Sequence, residues 1–154
     1  MKKTVALLLA LVCLAALLTG CGGSKKTMEP RAFVDDVLSN ANFTDSLNQL
    51  SDGVIAQYYG VDSADYTSAI AYGGTAATAE QIVVFEAKDS AAAERILAAL
   101  QAFVAEKIEA YKSYGPAAAM SLENAPVKII GNYVVAVVCA DSDSAVKIVD
   151  QYAG

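Results

Sequence analysis

Gln81-Ile82-Val83-Val84-Phe85-Glu86-Ala87 is followed at once by Lys88-Asp89-Ser90 and then by a long apolar-striped run. The first seven residues predict a strand, with Ile82 and Val84 on one face and Val83 and Phe85 on the other. A strand that is apolar on both faces must be covered on both. In the run that follows, Ala93, Ile96, Leu97, Leu100, Val104, Ile108 and Tyr111 recur at three- and four-residue spacing. That predicts a helix over 90–114, capped at its start by Asp89 or Ser90 and stopped by Gly115-Pro116.

Outward from this unit the pattern recurs. Val135-Ala136-Val137-Val138 before Asp141-Ser142-Asp143 echoes the first strand and its helix start. Strands are expected over 66–72, Gln81–Ala87, Val127–Ile130 and 133–140, the last two joined through Gly131-Asn132, a two-residue hairpin signal. A final helix is expected over 144–152. The expected fold is therefore α+β, a ββαββα chain forming a four-stranded, mainly antiparallel sheet with two helices on one face. Short N-terminal helices complete it. One spans 30–39 with Phe33, Val34, Val37 and Leu38 inward; a second piece runs towards Tyr59 with Leu47, Leu50, Val54, Ile55 and Tyr58. Either residues 30–59 pack over the second sheet face, or that face stays open as a docking surface with Tyr66 or Tyr72 at its rim.

The N-terminus has the pattern of an address. Lys2 and Lys3 precede an apolar run over 4–18, short of the roughly 20 residues that cross a bilayer as a helix. Its length and flanks are those of a secretory signal, and Leu18-Thr19-Gly20-Cys21 resembles the lipobox of bacterial lipoprotein signals. The expected organisation is a signal peptide over 1–20, a lipidated Cys21 with a flexible tether over 21–29, and one domain over 30–154. Removal of residues 1–20 takes Lys2 and Lys3 and no acid, leaving 9 of 11 bases against 17 acids, a side-chain net of −8. Such a domain is repelled by an anionic membrane surface and by nucleic acid. Cys13 would leave with the signal and Cys21 would carry lipid, so Cys139 would remain as one thiol with no disulfide partner.

The chain contains no His, which removes Ser-His-Asp and Cys-His catalysis and the His-containing zinc sites. Asp141-Ser142-Asp143 opens like a calcium loop, but Ala145, Val146 and Tyr152 stand where that loop needs an acid or amide, a Gly and a Glu. A helix N-terminus is the better account. Cys139, at the end of an apolar strand with no base, suits a buried structural thiol. No catalytic residue, metal site or cofactor is expected. Eight tyrosines remain, with Tyr58, Tyr59, Tyr111 and Tyr114 near helix ends and Tyr133 opening a strand. Such tyrosines serve as a core rim or as a binding platform.

Several pieces together resemble a family of small lipoproteins from Gram-positive anaerobes whose shared domain has no assigned function. They are the apolar strand before Lys88-Asp89, Tyr111 and Tyr114 with Pro116, Asn124-Ala125-Pro126-Val127, and Gly131-Asn132-Tyr133-Val134. The resemblance covers the stretch from Tyr59-Gly60-Val61-Asp62 onward, and Ala117-Ala118-Ala119 departs from it. It implies export, lipid anchoring and one α+β domain, and no activity. The expected function is a lipid-anchored, non-catalytic binding or accessory module at the extracytoplasmic face of the cell membrane, with an envelope protein as a candidate partner. The alternative is a small envelope hydrolase using carboxylates alone, for which Asp62, Asp65, Glu80 and Glu123 would have to converge in a cleft.

Overall fold

The computed structural model describes residues 28–154; the expected signal peptide, Cys21 and the expected tether up to Thr27 lie outside them. The chain order is α1 (Pro30–Asn40), β1 (Asn48–Gln49), α2 (Asp52–Tyr59), β2 (Tyr66–Gly73), β3 (Gln81–Ala87), α3 (Ser90–Tyr111), α4 (Pro116–Glu123), β4 (Val127–Ile130), β5 (Tyr133–Val138) and α5 (Ser142–Tyr152). The strands form one antiparallel sheet in the order β1-β2-β3-β5-β4. The α+β class stands.

The sheet has five strands where four were expected. Residues 47–50 are not helical: Asn48 and Gln49 pair with Gly73 and Tyr72 as a short edge strand. Extended geometry sends Leu47 to one sheet face and Leu50 to the other, which a helical stripe could not do.

The two helices expected on one face lie on opposite faces. The first core holds Val83, Phe85, Val134, Ala136 and Val138 beneath α2, α3 and α4, with Ile55, Tyr59, Ile96, Leu100 and Leu122. The second holds Ile82, Val84, Val135 and Val137 beneath α1 and α5, with Phe33, Val37, Ile148 and Val149. Both central strands are apolar on both faces. Each fully buried side chain of this kind contributes about 1.5–3 kcal/mol, so leaving either face bare is far costlier than splitting the helices between them. Of the segment expected over the second face, α1 packs there and α2 packs on the first.

Local signals set most boundaries. Glu29 caps α1, its carboxylate accepting from the backbone N–H groups of Arg31 and Ala32. Gly60, in the left-handed region at φ 67°, ends α2. Asp89 caps α3 by accepting from Ala92 N–H, and Asp141 caps α5 by accepting from Ser144 N–H. The long helix stops at Tyr111, earlier than expected, and Pro116 then opens α4 in its first turn. The small side chains of Ala118 and Ala119 bury themselves in the first core.

Candidate functional site

The tyrosines near helix ends converge. In α2, Val54 and Tyr58 are four residues apart and share a face; in α3, Lys107, Ala110 and Tyr111 do the same. The two faces meet over the head of β3. With Leu50, the Gly73–Ala76 stretch, Ala79, Glu80, Gln81 and Tyr114 they line a cleft of about 500 Å³. The rings of Tyr111 and Tyr114 are 5.0 Å apart between centroids. Tyr58 is 46% exposed and Tyr114 66% exposed, so each offers ring surface to solvent.

Lys107 is the cation of this cleft. Its Nζ sits 5.4 Å from the centre of the Tyr58 ring and 5.2 Å from that of Phe103. The residues three and four positions away are Phe103, Val104, Ala110 and Tyr111, so no acid on its own helix is placed to pair with it. Gln81 enters from the sheet. It shares a face with Val83 and Phe85, is 5% exposed, and its Oε1 has no hydrogen-bond partner among the described residues. An acceptor in that state lacks about 1–3 kcal/mol of compensation.

The wall of the cleft is the loop between β2 and β3. Tyr111 donates its hydroxyl to the carbonyl oxygen of Ala76 at 2.6 Å, and burial pushes that hydroxyl above its ordinary range. The Asp45 carboxylate accepts from Thr75 N–H at 2.6 Å and from the Thr75 and Thr78 hydroxyls, and these bonds hold its pKa below the usual value. Gly74 permits that approach, since a Cβ there would lie 3.0 Å from Asp45 Oδ2. Ala79 adopts φ 57°, the left-handed region that a side chain disfavours.

Glu80 ends the loop and is 2% exposed. Its carboxylate accepts from Thr44 N–H, Asp45 N–H, Ala140 N–H and the Thr44 hydroxyl, at 2.8–3.1 Å. It is a clamp of backbone donors around one charge, tying residues 44–45 to the ends of β3 and β5. A second, smaller cleft of about 350 Å³ lies beyond it, lined by Thr44, Thr78, Ala118, Met120, Asn124 and Ser142 among others.

The residues singled out from sequence are placed as follows. Cys21 lies outside the described residues. Tyr66 and Tyr72, offered as one rim, sit on opposite faces. Pairing slips between Tyr66 and Ser68, where two residues of β2 oppose one of β3. That bulge turns Tyr66 onto the first core, 5.1 Å from the Phe85 ring, while Tyr72 packs on the second and bonds Gln49. Cys139 is buried, donates to the carbonyl oxygen of Asp141, and has its pKa raised by burial. Of the four acids, Glu80 alone lines either cleft. Asp65 takes the Arg95 guanidinium through both oxygens, Asp62 accepts from Ala64 N–H, and Glu123 is exposed. Among the described residues no group of three His, Cys, Asp or Glu side chains is placed to hold a metal ion, and no helix is long and apolar enough to cross a membrane.

Gln81, Lys107 and the clamp role of Glu80 escaped the sequence. A signal for two of them was present: a polar pair directly before Ile82-Val83-Val84-Phe85, which is apolar on both faces.

A family model for a domain of unknown function, DUF4358, matches residues 39–139. The chain belongs to this family. The DUF4358 segment contains all five strands, α2 to α4 and every residue of the larger cleft. Helix α5 and all but the last two residues of α1, which together cover the second face, lie outside it. No curated protein and no solved structure matches the chain.

Proposed function

We propose that this DUF4358 chain is a bacterial lipoprotein, held by lipid on Cys21 at the extracytoplasmic face of the cell membrane, whose domain is a non-catalytic binding module. The binding half is carried by the cleft in which Tyr58, Tyr111, Tyr114, Lys107 and the unpartnered Gln81 meet. It is concave, mostly apolar, and has few polar groups, as ligand sites do. The carboxylate chemistry weighed as an alternative finds less support. Glu80, the acid at the cleft, has both oxygens occupied by backbone N–H groups.

The anchoring half rests on Lys2, Lys3, the apolar run and Leu18-Thr19-Gly20-Cys21 in register. Two acyl chains, at ~0.8 kcal/mol per buried CH₂, suffice for stable attachment. The tether over 22–29 reaches at most ~29 Å at ~3.6 Å per residue, which keeps the domain near the surface. Labelled palmitate should enter the wild type and not Cys21→Ser, and the variant should leave the membrane fraction. Equal labelling of both would remove the anchor.

A further inference from the structure

We propose that the larger cleft binds an acidic sugar, a pyranose carrying a carboxylate. The assignment deepens the binding-module reading and rests on it.

Three features of the cleft each ask for one part of such a ligand. Gln81 lines the cleft, and its buried Oε1 has no hydrogen-bond partner among the described residues; a sugar hydroxyl is a donor that would satisfy it. Tyr58 and Tyr114 present flat, half-wet rings at the mouth, and the C–H face of a pyranose covers such a ring while its hydroxyls stay solvated. Lys107 brings a positive charge with no acid partner on its own helix, in a chain where 17 acids outnumber 11 bases. A cation left unneutralised in so acidic a chain favours an anionic ligand group.

Glu80 also lines the cleft, and its charge would oppose a second carboxylate. Its oxygens are already turned to Thr44, Asp45 and Ala140, whose N–H dipoles offset that charge. A cleft of about 500 Å³ has room for one or two sugar rings. Nucleic acid, the other ligand that stacks on tyrosine, needs several cations along a phosphate track. This cleft has one.

The full chain, extracted in detergent, is titrated with D-glucuronate, D-glucose and benzoate by saturation-transfer NMR. Glucuronate should bind, with glucose at least about tenfold weaker for want of the Lys107 pair, and benzoate weaker still for want of hydroxyls. Lys107→Met should remove the preference for glucuronate over glucose. Tyr114→Ala, at an exposed position, should weaken both sugars by about tenfold without touching stability. Gln81→Leu should weaken both sugars while leaving the fold as stable or more so, because it removes an orphan acceptor. No binding of glucuronate, equal binding of glucose and glucuronate, or binding indifferent to Lys107→Met and Tyr114→Ala would each overturn the proposal. Palmitate labelling of the same preparation separates the two readings. Labelled protein silent to glucuronate removes the ligand and leaves the anchor; unlabelled protein that binds removes the anchor and leaves the ligand.

Discussion

Two backbone N–H groups, those of Thr44 and Asp45, depend on one carboxylate, which a third, that of Ala140, shares with the Asn42 carbonyl oxygen. Glu80→Ala would orphan the first two, at about 1–3 kcal/mol each less whatever water recovers from the neighbouring cleft, while Ala140 N–H keeps the Asn42 carbonyl oxygen at 3.2 Å. The expected loss is about 2–4 kcal/mol in urea denaturation. Glu80→Gln should fall between, since its amide turns a donor towards donors. A loss for Glu80→Ala near zero would mean the clamp is idle. Asp65 acts differently, through charge. The Arg95 guanidinium, bonded through both carboxylate oxygens, holds its pKa below the ordinary 3.8, and Asp45 is lowered likewise by Thr75. A depressed carboxylate contributes stability that is complete above its unfolded pKa and lost as pH falls through the folded one. Stability should therefore hold steady from neutral pH to about pH 5 and fall below about pH 4, and Asp65→Asn should flatten that fall. An identical acid profile in Asp65→Asn would show that the pair carries no linkage.

The junction of α3 and α4 depends on having no side chain at one position. A Cβ on Gly115 would lie 2.9 Å from Cδ1 of Tyr111, the ring whose hydroxyl holds Ala76. Gly115→Ala should therefore push that ring, weaken the loop wall and cost about 1–3 kcal/mol, as overpacking does. The chain has eight Tyr and no Trp, so tyrosine emission reports the change directly alongside the melting temperature. An unchanged melting temperature and spectrum would mean that α4 adjusts freely. The apolar stripe of α3 and its Asp89 cap were legible as sequence, because both are local, whereas the helix ends at Tyr111, before the expected Gly115-Pro116 stop. Helix α4 was not legible: Ala117-Ala118-Ala119 has no amphipathic contrast, and only the tertiary packing distinguishes Ala118 and Ala119, buried in the first core, from the exposed Ala117.

On the scale of the molecule, the sheet is stable only while both faces are covered. Removal of residues 27–60 would strip α1 from Phe33's core and α2 from Tyr59's, exposing Ile82, Val84, Val135 and Val137 on one side and widening a gap on the other. The truncated chain should aggregate or bind an apolar-surface dye strongly in comparison with the full chain. A monomeric, dye-silent truncation would sink the two-sided account. The milder version is Phe33→Ala, which removes a fully buried ring stacked edge-on against Tyr152 and should cost about 3–5 kcal/mol.

By itself the sequence determined what periodicity and caps encode. The strands at Gln81–Ala87 and Val127–Ile130, the Gly131-Asn132 hairpin, the helices opened by Asp89 and Asp141, and the need to cover two faces all follow from residues close in the chain. Only the tertiary structure decided which helix covers which face, because an apolar stripe states that it must be buried and not against what. Pairing likewise decided the fate of Tyr66 and Tyr72. Counting alternate residues puts them together, and a bulge that exists only against β3 parts them. The cleft belongs to the same class. Tyr58 and Lys107 lie near the ends of two helices, Tyr114 in the turn after α3 and Gln81 at a strand's head, and they meet because the tertiary fold brings those places together.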